Sequence, residues 1–307
     1  MSTAEFSTQR KSGYFFLISA SFVLSVLTLV MSALPLKALR SSFGFIVFAL
    51  TGLVLTIGFW LMGFKLLAVF LVGVFFSVGV FSELENRFGK AQSNASLFWA
   101  GLLSAIVGSG VFWGALELWM KSEGWSLKSK IHEQLSLLLA QAASFNPKMS
   151  EITTEMLLAQ APSVVISVFT ITLALAVIYE RRVLSALKLS RRFAYGSYRP
   201  REFRVPDVFV WASMVAFLLS FKSFGLSEAE LVAVNVLNVM VILYLFQGVA
   251  VAEAVFHHFR VGPFFRVLFF LILVLQLFFV LSAVGFADFW LDIRKRLKNT
   301  KQPAGQN

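Results

Sequence analysis

FGFIVFALTGLVLTIGFWLMGFKLLAVFLVGVFFSVGVF, residues Phe43–Phe81, decides the fold class. Its one charged residue is Lys65. A membrane-spanning helix needs about 20 mainly apolar residues at ~1.5 Å per residue, so this run is too long for one span. It reads as a helical hairpin of 43–60 and 62–82, turning near Gly63-Phe64-Lys65, where a glycine and a charge coincide.

The same pattern recurs along the chain. Further apolar segments at 14–33, 97–120, 161–179, 206–224, 231–256 and 263–291 bring the expected total to about eight spans. Of 307 residues, 58% are hydrophobic, 14% are charged and 35 are Phe. The mean hydropathy is +0.79. Soluble domains run nearer 45–50% apolar and 25% charged, so a soluble enzyme and a disordered chain are both excluded. The expectation is one polytopic, all-α transmembrane bundle covering 1–307. The first segment is longer than a signal-peptide core and ends at Pro35 and Lys37 without a small-residue cleavage site, so it reads as a retained helix. There is no cysteine, which removes disulfide and thiol chemistry.

Two connections are long. Residues 121–160 balance four lysines against four glutamates, and Leu127, Ile131, Leu135, Leu138, Leu139, Ala142 and Phe145 recur at helical spacing. That describes an amphipathic helix on the bilayer or capping the bundle. Asn146-Pro147 reads as the start of the next helix. Residues 181–206 carry eight basic residues (Arg181, Arg182, Lys188, Arg191, Arg192, Arg199, Arg201, Arg204) against Glu202 alone. Short basic loops stay in the cytoplasm, so this loop is placed inside and 121–160 outside. Arg181, Arg182, Arg191, Arg192, Arg199 and Arg201 are its lipid- or partner-facing set. The interleaved Phe193, Tyr195, Tyr198 and Phe203 fit anionic headgroups at an interface, and no nucleic acid is expected. A conflict remains: eight full spans put the basic tail Arg294–Lys301 and the basic N-terminus outside. One apolar segment on each side of the loop is therefore broken, re-entrant or miscounted, Gln247-Gly248 being one place for a break.

Catalytic signatures are lacking. G-x-x-x-x-G-K-[ST], H-E-x-x-H and G-x-S-x-G do not occur, and His132, His257 and His258 have no metal-ligand spacing. No enzyme activity, cofactor, metal or catalytic residue is expected. Small residues Gly101, Ala105, Ser109, Gly110 and Gly114 mark a helix-packing face. In 231–256, at about 100° per residue, Asn235, Asn238, Glu253 and His257 share one stripe, and Gln247 falls off it. Polar groups in spans face the bundle interior. Either the amides bond neighbouring helices and Glu253 pairs with His257, or Asn235, Asn238 and Glu253 line a small-molecule site. Asp288-Phe-Trp-Leu-Asp292-Ile-Arg294 closes the last span with an interfacial Trp.

Phe203-Arg204-Val205-Pro206 followed by Trp211, Asn235 with the later Gln247-Gly248-Val249, and Asp288…Asp292-Ile293-Arg294 occur in order. In these residues the chain resembles the YybS-like predicted membrane proteins of bacteria. That family is distantly similar to the substrate-binding subunits of energy-coupling-factor vitamin transporters. The resemblance implies a bacterial cytoplasmic-membrane protein with an S-component-like core, a small-molecule ligand, and a separate partner subunit supplying ATPase activity. It also marks Arg204, Pro206, Trp211, Gln247, Gly248 and Asp288 as motif residues. The chain departs from that pattern in about two extra spans and in lacking a clear A-x-x-x-A face on its first helix. The alternative function is a membrane scaffold that recruits partners through the arginine-rich loop.

Overall fold

The computed structural model describes residues 3–88, 94–148, 152–191, 200–221 and 227–299. All regular structure among them is helical. The helices are α1 (Thr3–Leu27), α2 (Ala33–Phe43), α3 (Phe45–Leu61), α4 (Lys65–Phe88), α5 (Asn94–Ser122), α6 (Leu127–Phe145), α7 (Thr154–Ala186), α8 (Val208–Leu219), α9 (Ser227–His258), α10 (Pro263–Leu275), α11 (Phe278–Leu291) and α12 (Ile293–Asn299). Of the expected segments, 62–82, 97–120, 161–179 and 231–256 fall on α4, α5, α7 and α9, whereas 14–33 runs past the end of α1 and 263–291 is divided between α10 and α11. Among the described residues, four helices, within α4, α5, α7 and α9, are long and apolar enough to cross a membrane. A fifth span is formed if α10 and α11, bent by 98° at their break, count as one. The apolar parts of α1, α3 and α8 are shorter.

The predicted hairpin is present: α3 ends at Leu61, α4 starts at Lys65, and Gly63 turns the chain at φ +86°. Such a φ is open to glycine at little steric cost. Gly44, at φ +92°, makes an equally tight reversal between α2 and α3. Two local expectations change. Asn146 ends α6 and its side chain accepts from the Lys148 amide at 3.2 Å where a short 3-10 turn begins at Pro147, while the long helix α7 is capped separately by Thr153, whose hydroxyl accepts from the Met156 amide at 3.3 Å. Pro35 and Lys37 do not close the first segment in a polar turn. They lie inside α2, a helix with eight buried residues. Hydropathy misses α2 because its two charges and one proline pull the local average down.

The chain divides into two compact units, residues 1–92 with 99–196, and 93–98 with 197–307. In the first, α2 packs against α1, α3, α4 and α7. Phe48 stacks on Phe75 (4.4 Å) and Phe22 on Phe59 (5.0 Å). The two ends of this unit differ in chemistry. At one end the Trp60 and Trp119 rings meet edge-on at 6.1 Å, and Glu123 accepts from the Trp119 indole at 3.3 Å and from Lys65. Amphipathic rings of this kind anchor at membrane–water interfaces. At the other end, Tyr14 of α1 packs on Phe43 of α2, and Leu189, just past α7, sits against Gly13. The start of the apolar part of α1 (Lys11–Leu27), the end of α2 and the residues after α7 therefore lie at one level.

In the second unit α9 and α11 cross at two glycines. A Cβ on Gly248 would lie 1.9 Å from the Leu281 carbonyl oxygen, and one on Gly285 would lie 2.0 Å from that of Tyr244. Small residues let membrane helices approach to backbone contact. The break in the last apolar segment falls at Gln276-Leu277, between α10 and α11, while α9 runs unbroken through Gln247-Gly248.

Candidate functional site: a buried charge cluster and a polar clasp

In the first unit, α2 carries Lys37 into the interior, α4 brings Glu85, and α7 brings Glu180. Past α7 the chain turns at Lys188 (φ +52°) and folds back, so that Arg191 reaches the same place. Lys37 donates directly to Glu85, and Arg191 to Glu180. The cross pairs are longer, 3.8 Å for Lys37–Glu180 and 3.9 Å for Arg191–Glu85. The result is a square of alternating charge with two short and two long edges. Side-chain exposure is 1% for Lys37, 7% for Glu85, 0% for Glu180 and 18% for Arg191. Moving one ion from water to such a place costs several kcal/mol even after relaxation, so each charge persists only through its neighbours. Satisfaction is incomplete: Glu180 Oε1 and Arg191 Nε lack hydrogen-bond partners among the described residues. Lys37 also lies over the Phe81 ring at 5.2 Å. One turn on from Lys37, Arg40 is 9% exposed, lies over the Phe45 ring at 5.5 Å, and meets Glu83 at 3.7 Å.

The second unit holds a polar clasp that is better satisfied. Gln247, 2% exposed, accepts from the Val205 amide at 2.8 Å and donates to Asp288 at 3.4 Å. Asp288, also 2% exposed, accepts from the Ile293 amide at 3.1 Å and from Arg294 at 2.7 and 3.1 Å. Arg294 in turn donates to the carbonyls of Phe203 (2.7 Å) and Arg201 (3.3 Å). The three motif stretches around 203–206, 247–249 and 288–294 thus meet in one network that ties the segment before α8 to α9, α11 and the start of α12. The end of α11 consequently shares an end of this unit with residues 201–205. Arg204 meets Asp292 (3.5 Å) and Asp207 (3.4 Å). Pro206 leads into α8, where Trp211 is exposed.

The other sequence-derived residues fall as follows. Glu253 pairs with Arg201 (3.0 Å) and Arg266 (3.2 Å), rather than with His257. Asn235 and Asn238 are half-buried on α9, and Asn235 donates to the Leu231 carbonyl of its own helix at 2.9 Å. Gln247, off their stripe, is the most deeply buried polar residue of α9. Arg181 and Arg182 are exposed, Arg182 lying 5.3 Å from the Tyr179 ring centroid. Arg191 and Arg201 of the same basic set turn to carboxylates. Arg192, Arg199, Phe193, Tyr195 and Tyr198 lie outside the described residues.

Sequence reasoning missed Glu85 and Glu180 altogether and read Lys37 and Arg191 as loop charges. A signal existed: Glu85 and Glu180 sit at the trailing ends of apolar runs, where an ionisable residue needs a partner. The partners are 48 and 11 residues away. Helical periodicity does not pair positions that far apart.

No curated protein and no solved structure matches this chain. An all-helical fold with several apolar helices agrees with a family of predicted membrane proteins whose match spans most of both units. The family of predicted membrane proteins DUF2232 matches residues 13–289, and the chain belongs to that family.

Proposed function

We propose that this is a non-enzymatic, multi-pass protein of the bacterial cytoplasmic membrane that serves as a solute-binding, transport-related component. The observation that supports this reading is the charge square of Lys37, Glu85, Glu180 and Arg191 inside an apolar helical unit. Well-packed hydrophobic residues in place of a buried ion cluster are often as stable or more so. Ionisable groups kept within membrane helices usually serve ion or substrate pathways. With no P-loop in the chain, ATP-driven movement would come from a partner subunit. The scaffold reading is less favoured, because Arg191, Arg201 and Arg204 of the arginine-rich loop are turned toward this chain's own carboxylates. Exposed Arg181 and Arg182 suit anionic lipid headgroups.

The helix ends also support an orientation without the conflict of eight full spans. Helix α2 returns the chain to the level of Tyr14, where the apolar part of α1 begins just after Arg10 and Lys11, and α11 returns it to the end of residues 201–205. With the basic loop in the cytoplasm, both basic termini lie there too, as the positive-inside rule requires.

Native mass spectrometry of the gently extracted protein tests the function. A co-purifying small molecule that is lost in Glu180→Gln supports the carrier reading. A stoichiometric protein partner with no small molecule supports the scaffold instead.

A further inference from the structure

We infer that the charge-cluster end of the first unit holds an oxyanion-binding site centred on Arg40. This site stands whether or not the chain moves a solute. The case begins with charge balance. Among the described residues, three cations are largely buried at this end: Lys37 at 1% side-chain exposure, Arg40 at 9% and Arg191 at 18%. Two buried carboxylates face them, Glu85 at 7% and Glu180 at 0%. Lys37 and Arg191 use both carboxylates through direct pairs. Arg40 is left with Glu83 at 3.7 Å, which is beyond hydrogen-bond distance. Glu83 is 53% exposed and is shared with Arg87 at 3.4 Å. Arg40 Nε has no partner among the described residues.

A buried guanidinium without a bonded anion is costly, since its charge is desolvated and its donors are unused. The Phe45 ring lies 5.5 Å from the guanidinium carbon on one side, and the buried Nε–H is a donor without a partner among the described residues. A guanidinium N–H edge matches the paired oxygens of a phosphate or carboxylate. The ligand class is therefore a singly charged oxyanion. It comes either from an anionic lipid headgroup at the membrane surface or from a free phosphate or carboxylate in the cytoplasm. Both present the same chemistry to Arg40.

The full-length protein in dodecyl maltoside tests this by thermal unfolding, read by tryptophan fluorescence. In one arm inorganic phosphate replaces chloride at constant ionic strength. In the other, dihexanoyl phosphatidylglycerol is compared with dihexanoyl phosphatidylcholine. A rise in Tm with phosphate identifies a free oxyanion as ligand, and a rise with phosphatidylglycerol alone identifies a headgroup. Arg40→Gln is expected to abolish either rise. Glu83→Gln removes the exposed competitor and is expected to lower the half-saturating anion concentration about two- to fivefold, the size of one weak surface ion pair. If Arg40→Gln does not fold, Glu83→Gln decides alone. No rise with either anion, an equal rise in Arg40→Gln, or an unchanged midpoint in Glu83→Gln overturns the site.

Discussion

Lys37→Met is the most informative single change. Methionine keeps the length of the side chain and suits an apolar interior, so the substitution removes charge with little change in volume. What remains is two buried carboxylates, Glu85 and Glu180, sharing the one guanidinium of Arg191. The longer of the two lost attractions, Lys37–Glu180 at 3.8 Å, corresponds to about 4 kcal/mol at an effective dielectric of ~20. Breaking a buried pair from one side costs about 3–5 kcal/mol, because the partner charge is left uncompensated. A loss of about 3–5 kcal/mol is therefore expected, measured by unfolding in mixed micelles of dodecyl maltoside and dodecyl sulfate. The second variant removes the orphan charge as well. Lys37→Met with Glu85→Gln leaves Arg191 and Glu180 as a closed pair, so the double variant is expected to be more stable than the single one. Non-additivity of this kind is the signature of groups that act as one network. A single variant within about 1 kcal/mol of wild type, or a double variant with simply summed losses, would refute the idea that these four side chains share one buried field.

Other outcomes follow from the same structure. Gly248→Ala places a methyl 1.9 Å from the Leu281 carbonyl oxygen and is expected to cost about 1–3 kcal/mol; Gly58→Ala, with nothing within 4 Å, serves as the tolerated control in the same unfolding assay. The Lys65 ammonium bonded to Glu123 holds that carboxyl below its ordinary value of 4.5, so its contribution to stability is present above that value and fades as pH falls through the lower folded value. Glu123→Gln is expected to flatten that acid-side decline, and an unchanged acid limb in pH-dependent melting contradicts the Lys65–Glu123 pair. Because the chain has no cysteine, single cysteines at Ser12, Ser190 and Lys301 report topology directly. All three are expected to resist an impermeant thiol reagent in intact cells, and labelling of both Ser12 and Lys301 with Ser190 protected would restore the eight-full-span topology.

Much of this protein is written in local composition. The 39-residue run Phe43–Phe81 and its glycine turn come directly from apolar length and backbone freedom, and the structure has the hairpin where the sequence puts it. The same holds for the amphipathic α6 and for a break in one apolar segment after the basic loop, because these depend on residues close together in the chain. The position of that break, at Gln276-Leu277 instead of Gln247-Gly248, depends on packing: Gln247 is bonded to Val205 and Asp288, and α9 continues straight through it. Helix α2 was illegible for a related reason. A window average reads Pro35, Lys37 and Arg40 as a polar turn, whereas carboxylates from α4 and α7 make a buried helix tolerable there.

What the sequence determined alone is therefore the solvent: 58% apolar residues with 14% charged ones cannot fold in water without a membrane-like surrounding, and runs of that length become helices because hydrocarbon leaves backbone groups no other partner. What only the tertiary structure decided is which charges meet. Lys37, Glu85, Glu180 and Arg191 come from separate elements of the chain, and Val205, Gln247 and the Asp288–Arg294 stretch come from three. Burial makes each of those charges intolerable alone and stable together, and that pairing energy exists only once the helices have packed.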